Sequence, residues 1–571
     1  MQVLLNHVGF APAASKRATL QHMRPLEPQA FSVVDLRTRA IVHAGTTEPV
    51  TPVAGWRDRH FAHADFSAVT APGRYAVMLD GTWPPVQSQP FEIADGLFGS
   101  QMLSDIVHYF KSQRCTGLFD DADRHAPLLD TREPRDVHGG WYDASGDCSK
   151  YLSHLSYANF MNPQQTPLVT WTLLAGRDRL PPQSKWLDER LVDEALHGAD
   201  FLVRMQAPEG FFYTTVFDKW SKDEHQREIC SYATQKGLKS ADYQAGFRQG
   251  GGLAVAALAR AAGAPRDGEF TREQYLAAAI RGFELLEARN AEFLDDHAEN
   301  LIDDYCALLA ATELVARTRD PRWTRSAAGH ARRLMAQQDA QGFYWADRAR
   351  TRSFFHASDA GLPHIALMRF LEVVAELDPD LPTQAVRSAI TRGLMFELEA
   401  TNDAGPNPLG YPRQHVVMPG RASATQFFVP HANESGYWWQ GENARLGSLA
   451  TAARAARDLQ LADAAFDAAL ADYAQRALDW LFGANPFDTC MLQGWGHNPP
   501  RYEPGFWNAP GGVCNGITSG LADEADIDFR KPEETEPAHS WRWTEQWIPH
   551  AAWLFCALAH GRPRPEKSWN P

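Results

Sequence analysis

The sequence has few cysteines, and their spacing excludes two common kinds of site. Seven cysteines are scattered along 571 residues, and none belongs to a Cys-x-x-Cys pair. An odd, dispersed set of this kind predicts neither a disulfide framework nor a zinc ribbon. The cysteine pattern therefore indicates a reducing compartment.

Long apolar runs and an excess of positive charge are also absent. No stretch reaches the roughly 18 apolar residues of a membrane span. The first residues, MQVLLNHVGFAP, contain neither a basic leader nor an apolar run of secretory length, so we expect a cytoplasmic protein without a membrane partner. The net charge of -15 leaves no surplus of Lys and Arg to neutralise phosphates, which argues against a nucleic-acid partner. The same acidity is compatible with a cationic substrate such as an amino sugar.

Motifs for cofactors and metals are missing as well. Gly250-Gly251-Gly252 precedes an Ala-rich stretch, but no strand comes before it and no Lys-Ser/Thr follows, so a phosphate loop is not indicated. No His-Glu-x-x-His motif occurs, and no loop has the pattern of acidic residues that a calcium site requires. The sequence therefore predicts no cofactor and no metal ligand.

Residues 1–95 consist of short apolar or alternating runs that Pro and Gly separate. Several strands of this length at this spacing favour a small β-sandwich. The region carries few residues of conspicuous chemistry, so its expected role is packing against the rest of the chain. The predicted strands are Gln2–Val8, Phe31–Asp35, Ala40–His43, Arg74–Leu79 and Pro90–Ile93.

Residues 96–571 have the periodicity of helices, with apolar residues at three- and four-residue steps. Long connections rich in Gly, Pro and Trp intervene, such as Asn402–His431 and Asn485–Pro532, and loops this long are usually functional. Many helix pairs with large loops predict a helical barrel whose loops build a site at one end. The predicted helices include Gln274–Ala288, Leu301–Ala316, Ala444–Leu459 and Asp463–Leu481.

The segment Gly139–Asp147, GGWYDASGD, carries two carboxylates four positions apart. Its glycines and serine form turns, so Asp143 and Asp147 are predicted to lie on a loop. Trp141 and Tyr142 beside them offer flat apolar faces for a pyranose, and a carboxylate can orient or deprotonate a water. For an Asp-rich loop taken by itself, a plain pair of Asx turns is the more common explanation.

A further carboxylate, Glu545, lies among three Trp residues near the other end of the chain. It precedes a strongly apolar helix predicted over Ile548–Leu558, for which Ser540 or Thr544 is a candidate cap. One reading of Glu545 is an acid in the first turn of this helix, where the helix dipole favours it. The other is a general acid, because the Trp side chains exclude water and raise its pKa. Glycoside hydrolysis needs such an acid at the leaving oxygen and a carboxylate on the opposite side.

Together these segments resemble glycoside hydrolase family 9. The family's Asp-Ala-Gly-Asp motif after Gly-Gly-Trp/Tyr-Tyr is matched by Gly139–Asp147, and its later Gly-x-Asn-Pro and Gly-x-Gly-x-Asn-Pro-Pro motifs by Gly483–Pro486 and Gly494–Pro500. Glu545 occupies the place of the family's acid, and Leu5–Pro12 resembles the start of the immunoglobulin-like domain that many members carry. The resemblance spans nearly the whole chain.

The resemblance implies a fold, a mechanism and a set of roles. The fold would be an immunoglobulin-like sandwich at 1–95 and an (α/α)6-barrel catalytic domain at 96–571. The mechanism would be inverting, with Asp147 as the general base, Asp143 helping to hold the water and Glu545 as the general acid. Candidate substrate-binding residues are Trp141, Tyr142, Trp438, Trp439, Glu442, Trp495, Arg501 and Trp543.

Two departures from the family pattern concern the sugar. The base loop has one extra residue, Ser145, and the segment after Asn-Pro-Pro, which begins at Arg501, lacks the His-His-Arg of the family's cellulases. In the segments Asp143–Asp147, Gly436–Arg445 and Thr544–Trp547 the chain is similar to exo-β-D-glucosaminidases, which release glucosamine from the non-reducing end of chitosan oligosaccharides. Glu442 is the candidate contact for the amine, with Asp303 or Asp304 as alternates.

Several alternatives stay open. Glu442 also reads as a helix-start carboxylate, and Trp438 and Trp439 read equally as core or sugar platform. The same family includes β-glucosidases, cellodextrinases and endoglucanases that act on β-1,4-glucosides. A non-catalytic sugar-binding protein and a purely structural helical protein are the remaining hypotheses, and a substrate assay distinguishes them from an enzyme.

Overall fold

A computed structural model of the chain describes residues 1–82, 84–181, 184–374, 377, 381–436, 440–461, 463–500 and 508–561. Within these ranges, no helix combines the length and the hydropathy that crossing a bilayer requires. Strands dominate up to Ile93 and helices dominate from Ser100 onward, on either side of the predicted boundary at residue 95.

The N-terminal region is a sandwich of two antiparallel sheets. Its strands are β1 (Gln2–Leu4), β2 (Arg17–His22), β3 (Ala30–Asp35), β4 (Ile41–Thr46), β5 (Glu48–Val50), β6 (His60–Asp65), β7 (Gly73–Leu79), β8 (Val86–Gln87) and β9 (Phe91–Ile93). One sheet has the order β1-β2-β6-β5 and the other β4-β3-β7-β8, with β9 also paired to β7. Alternate side chains such as Tyr75, Val77 and Leu79 point inward and bury a common core. The predicted β-sandwich is confirmed.

The remainder is built on helices. The described helices are α1 (Ser100–Ser112), α2 (Leu118–Asp123), α3 (Thr166–Arg179), α4 (Lys185–Arg204), α5 (Gly252–Ala261), α6 (Arg272–Phe293), α7 (Leu301–Thr318), α8 (Pro321–Ala336), α9 (Leu362–Val374), α10 (Thr383–Asn402), α11 (Asn443–Asp458), α12 (Ala464–Leu481), α13 (Pro537–Thr544) and α14 (Ile548–His560). Six of them close a ring in the order α3, α5, α7, α9, α11, α14 and back to α3. Helices α1, α4, α6, α8, α10 and α12 pack around the outside of this ring. The predicted (α/α)6 barrel is confirmed.

The inner helices are buried on nearly every side, because the ring encloses one face and the outer helices cover the other. Every residue of α14 is buried, which explains its almost continuous apolar sequence. Helix α11 is instead rich in Ala, and a Cβ at its one glycine, Gly447, would lie 2.8 Å from the side chain of Trp553. Small residues therefore allow α11 and α14 to approach closely.

Short sheets and long loops cover one end of the barrel. Their strands are β10 (Ala126–Pro127), β11 (Pro134–Arg135), β12 (Lys150–Tyr151), β13 (Phe212–Tyr213), β14 (Thr215–Phe217), β15 (Glu228–Ala233), β16 (Leu238–Ser240), β17 (Gln244–Ala245), β18 (Gln414–Val416), β19 (Ala424–Gln426), β20 (Thr518–Ser519) and β21 (Ile527–Asp528). Strands β12, β14, β15 and β16 form one four-stranded antiparallel sheet. This sheet begins directly after the GGWYDASGD segment, so it carries the loops that surround that segment.

The sandwich packs against the side of the barrel through polar contacts. Asn6 Nδ2 donates to Asp479 Oδ1 at the end of α12, at 2.8 Å. Gln21 Nε2 donates to the Pro486 carbonyl at 2.9 Å, in the loop that follows α12. A Cβ at Gly483 would lie 2.2 Å from the ring of His7, so the Leu5–Pro12 and Gly483–Pro486 segments of the sequence meet at this interface.

Candidate active site

The GGWYDASGD segment is a loop, as its composition predicts, and its glycines are required by the backbone. Gly139 and Gly140 have φ values of 82° and 72°, in the left-handed region that favours glycine. A Cβ at Gly140 would also lie 2.8 Å from the ring of Phe201. The loop therefore turns tightly against α4 before it presents Asp143 and Asp147.

Three buried charges hold this loop from below. Lys150 Nζ donates to the carbonyls of Val137 and Gly139, both at 2.8 Å, and pairs with Asp123 at 2.7 Å. Arg227 binds both carboxylate oxygens of Asp123, at 2.6 and 2.7 Å. Each charge has a partner of opposite sign, which burial requires. The network makes the loop a rigid base for its two carboxylates.

Asp143 and Asp147 are both buried, and each accepts hydrogen bonds from fixed donors. Asp143 Oδ1 accepts the indole N–H of Trp547 at 3.0 Å. Asp147 Oδ1 accepts the backbone N–H of Ser149 at 2.8 Å, and Oδ2 accepts the hydroxyl of Tyr151 at 2.8 Å. These donors orient both carboxylates.

Glu545 lies beside the loop and is bonded to it, although about 400 residues separate them in sequence. The N–H of Gly146 donates to Glu545 Oε1 at 3.1 Å. Ser145 exchanges two bonds with Gln546, its N–H donating to the Gln546 carbonyl at 2.8 Å and its Oγ accepting the Gln546 N–H at 3.0 Å. The extra residue of the base loop therefore joins it directly to the segment that carries Glu545.

The reading of Glu545 as an acid in the first turn of a helix is wrong. Glu545 follows the last residue of α13 and has the extended dihedrals φ -62° and ψ 135°. Helix α14 begins only at Ile548, and Trp547 stands at its N-cap position without a capping side chain, so neither Ser540 nor Thr544 caps it. The short connection between two helices leaves the Glu545 side chain free to face the neighbouring loop.

Asp143, Asp147 and Glu545 line one cavity of about 310 Å³. It lies at the N-terminal ends of the inner helices, since Glu545 and Trp547 precede α14 and Gln440 precedes α11. The described residues around it are Asp143, Gly146, Asp147, His154, Leu155, Trp220, Gln235, Gln440, Trp541, Glu545 and Trp547.

The environment of each carboxyl group shifts its pKa upward. Burial raises the pKa of Glu545 to about 8, and the neighbouring charge of Asp147 adds to the shift. Burial raises the pKa of Asp147 to about 6, with a contribution from the charge of Asp218, while the N–H of Ser149 opposes it. Burial and the charge of Asp147 raise the pKa of Asp143 well above its usual value. Near pH 7, Glu545 is therefore mostly protonated and Asp147 mostly ionised.

Models of two protein families match the N-terminal part and the helical part of the chain separately. A model of glycosyl hydrolase family 9 matches residues 100–503, and a model of the cellulase N-terminal Ig-like domain matches residues 1–83. The chain belongs to glycosyl hydrolase family 9. Glu545 lies beyond the matched residues, so its place beside Asp143 and Asp147 comes from the tertiary structure.

Individual proteins agree with this membership of family 9. The chain is 29% identical over 276 residues to a cellodextrinase of Butyrivibrio fibrisolvens, a match that covers 43% of this chain and 46% of the relative. It is 29% identical over 256 residues to endoglucanase C of Cellulomonas fimi, covering 38% and 22% of the two chains. The chain thus spans less than half of each curated relative. A metagenome-derived family 9 endoglucanase of known structure has the same fold, with a TM-score of 0.68, 20% identity and 98% of both chains covered.

Several aromatic residues predicted to bind sugar lie outside the described cavity wall of this family 9 chain. Trp141 is fully buried and its Nε1 donates to Glu194 at 2.7 Å, while Tyr142 packs against Cys115 and Cys148. Trp543 is buried beneath the loop that carries Glu545. Trp495 donates to Asp105 at 3.1 Å, away from the cavity. Trp438, Trp439 and Arg501 lie outside the described residues.

The candidate amine contacts also lie elsewhere. Glu442 is buried and accepts from Arg445 Nε at 2.6 Å and from the N–H of Val429 at 2.7 Å, which fixes the start of α11. Asp303 is buried against Arg248, and Asp304 against Arg333 and Arg348. Each carboxylate is already neutralised by arginine, so none of the three is available to a sugar amine in the cavity.

Eight residues of the described cavity wall were not among the predicted site residues, including Gly146 and Leu155. Trp541 and Trp547 flank Glu545 in sequence, so the aromatic segment around that residue was a usable signal. His154, Trp220 and Gln235 belong to loops next to the sheet of β12, β14, β15 and β16, and no sequence motif marks them. Gln440 directly follows residues 437–439, which lie outside the described residues.

Among the described residues, one group brings three metal-binding side chains within 4.8 Å of one another: His7, Asp488 and His497. His7 Nδ1 accepts the backbone N–H of His497 at 3.3 Å, so the proton of His7 sits on Nε2, which lies 3.0 Å from Asp488. A metal-binding histidine instead keeps its second N–H as a donor. The two rings are stacked with centroids 3.3 Å apart, and the Nε2 atoms of His7 and His497 both face Asp488 Oδ1, at 3.0 and 3.4 Å. The group is a hydrogen-bonded contact between sandwich and barrel.

Proposed function

We propose that this family 9 protein is an inverting hydrolase of short β-1,4-linked oligosaccharides. The observation that carries the proposal is the pairing of Glu545 with Asp147 across one cavity, where their raised pKa values of about 8 and about 6 place opposite protonation states at neutral pH. An acid and a base of this kind are what glycoside hydrolysis requires.

In the proposed reaction, Glu545 donates its proton to the glycosidic oxygen, which leaves as a hydroxyl group of the departing sugar. Asp147 takes a proton from water, and the water oxygen forms the new bond to the anomeric carbon from the opposite side. The configuration of that carbon is inverted, and proton exchange with solvent restores both carboxyl groups. Asp143 supports the water from the same loop. The bonds from Gly146 and Ser145 to the Glu545 segment hold acid and base in register.

The size of the cavity supports action near the end of a sugar chain. Its volume of about 310 Å³ lies at the lower limit of small-molecule sites, which span roughly 300–1,000 Å³. Such a space suits one or two sugar rings better than the middle of a long polymer. We therefore propose exo-action, with the non-reducing end in the cavity.

The identity of the sugar has two candidates. The names of the curated relatives, a cellodextrinase and an endoglucanase, favour β-1,4-linked glucose. The lining of the cavity favours glucosamine, because it includes the mostly ionised carboxylate of Asp147 and, among the described residues, neither Lys nor Arg. An ammonium group in this position gains charge-assisted hydrogen bonds. Chitosan oligosaccharides are therefore the second candidate substrate.

Hydrolysis of three disaccharides tests these proposals. The protein is incubated with cellobiose, with chitobiose made of glucosamine and with N,N′-diacetylchitobiose, and the released monosaccharide is quantified by chromatography. Release from cellobiose alone supports the glucoside, and release from the glucosamine dimer alone supports the amino sugar. NMR of the first product reports whether the anomeric configuration is inverted. Absence of release here and from the corresponding tetrasaccharides contradicts the hydrolase proposal.

The pH dependence of kcat/KM is expected to be bell-shaped. Activity falls as the pH drops below about 6, because Asp147 gains a proton and no longer accepts one from water. It falls again as the pH rises above about 8, because Glu545 has lost the proton that the leaving oxygen needs. A profile measured from pH 4 to 10 checks this. Full activity at pH 4 contradicts the assignment of the base.

A further inference from the structure

The loop Asp218–Lys222 approaches Asp147 from outside the base loop. It follows β14, and three of its residues, Lys219, Trp220 and Lys222, have φ values of 59°, 59° and 56°. Side chains other than glycine rarely adopt this left-handed conformation, so it persists only where the surroundings hold it. Such strain commonly accompanies a functional role.

The buried carboxylate of Asp218 holds the strained loop. It accepts the backbone N–H groups of Trp220 at 3.1 Å and Lys222 at 2.8 Å, and the hydroxyl of Ser149 at 2.8 Å. The backbone N–H of Ser149 is itself a donor to Asp147. Asp218 therefore connects the strained loop with the residues that orient the base.

Trp220 faces both the cavity and the base. Its ring lines the cavity, and its Nε1 donates to Asp147 Oδ2 at 3.2 Å. The ring packs edge-on against Phe217, with centroids 5.0 Å apart. Gly237 lies beneath it, where an added Cβ would come within 2.8 Å of the indole. The indole is thus locked in the orientation that points its N–H at Asp147.

An ionised carboxylate has about four acceptor positions. The N–H of Ser149 occupies one on Asp147 Oδ1, and the hydroxyl of Tyr151 and the indole of Trp220 occupy two on Oδ2. The side chain of Ser149 also lies within hydrogen-bonding reach of this carboxylate, so the water that attacks the sugar takes one of the few acceptor positions that remain. Without Trp220, a further position opens on Oδ2 and the carboxylate can rotate toward it.

We propose that Trp220 is a positioning residue for the general base. Asp218 holds the loop that carries Trp220 and so fixes the orientation of Asp147, and the negative charge of Asp218 raises the basicity of Asp147. The inference rests on the proposed function, in which Asp147 is the base. The charged or titratable groups that face Asp147 from the surrounding elements are Asp143, Cys148, Tyr151, His154, Asp218, Lys222, Tyr232 and Glu545.

Two substitutions are expected to shift the acid limb of kcat/KM in opposite directions. Trp220→Phe removes a donor to the ionised carboxylate and keeps an aromatic ring, so the pKa of Asp147 rises and the limb moves to higher pH. Asp218→Asn removes a neighbouring negative charge, so the pKa of Asp147 falls and the limb moves to lower pH. If the two residues had only a structural role, both variants would lose activity but their acid limbs would not move in opposite directions.

The experiment measures kcat and KM against pH for both variants, with Trp345→Phe as the matched control. Trp345 also donates its indole N–H to a carboxylate, that of Asp339 at 3.0 Å, but outside the cavity. Trp220→Phe is expected to lower kcat at least about tenfold, part of the ~10²–10⁴-fold contribution of a general base, and to change KM less. The control is expected to keep the wild-type profile.

The outcomes separate this inference from the proposed function. If Asp147→Asn is inactive but the acid limbs of the two variants stay in place or move in the same direction, the proposed role of Trp220 and Asp218 is wrong. Full activity of Asp147→Asn overturns the proposed function itself. If Asp218→Asn gives too little folded protein, the direction of the Trp220→Phe shift decides alone.

Discussion

Glu545→Gln is expected to lower kcat on oligosaccharides by about 10²–10⁴-fold while the protein stays folded. Gln has the same shape, and its side-chain oxygen can still accept the N–H of Gly146 that Glu545 accepts at 3.1 Å. It has no acidic proton for the glycosidic oxygen, so the leaving sugar departs as an unstable alkoxide. The measurement is steady-state turnover of the disaccharide that the wild type cleaves, together with the melting temperature.

A substrate that needs no acid isolates the role of Glu545. The dinitrophenyl glycoside of the same sugar releases a stable phenolate, so its hydrolysis by Glu545→Gln is expected to stay within about tenfold of the wild type. Glu372→Gln is the matched control, because this glutamate pairs with Arg179 and Arg369 near the end of α9 and away from the cavity. Equal losses on both substrates contradict a general-acid role, and so does wild-type turnover of the oligosaccharide.

The second large effect is expected at the base. Asp147→Asn removes the carboxylate that is mostly ionised near pH 7 and is expected to lower kcat by about 10²–10⁴-fold. Burial and the charge of Asp147 raise the pKa of Asp143 well above its usual value, which makes it the poorer candidate for the base, so Asp143→Asn is expected to cost less. The measurement is turnover of the same disaccharide by the two variants at pH 7, which shows which substitution lowers kcat more.

Azide provides the control for this comparison, since it is an anionic nucleophile that needs no base. With the dinitrophenyl glycoside as substrate, azide is expected to restore turnover of Asp147→Asn and to form a glycosyl azide of inverted configuration. Asp143→Asn is expected to respond less, since its base is intact. A greater loss and a greater azide response in Asp143→Asn would assign the base to Asp143 instead.

The fold class was accessible from the sequence because each region repeats one period. Helices such as α7 and α11 were predicted to within about two residues at each end, since apolar residues recur along their buried faces. Strands β2 and β6 of the sandwich were missed. Their sequences, RATLQH and HFAHAD, place small residues such as Ala18, Ala62 and Ala64 in the core, so little hydrophobic alternation marks them.

The three carboxyl groups proposed for catalysis and the rest of the cavity wall differ in how far the sequence reveals them. Asp143 and Asp147 stand in a turn-rich loop, and Glu545 stands among tryptophans, so composition alone marks them as candidates. The direction in which each aromatic side chain points depends on loop dihedrals and on neighbours far away in the chain. Trp141 and Trp543 consequently pack into the core, whereas Trp220 and Trp547 bind the two aspartates.

By itself, the sequence determined the two-part architecture, the three carboxyl groups and the absence of a nucleic-acid-like charge surplus, because each follows from composition, local periodicity or the turn preferences of a few adjacent residues. Only the tertiary structure decided that Glu442, Asp303 and Asp304 are bound by arginines, and that Glu545 lies against the base loop through Gly146 and Gln546. These contacts join residues that are distant in sequence, and burial where they meet shifts the pKa of the carboxyl groups. Neither the contacts nor the burial can be inferred from the adjacent residues alone.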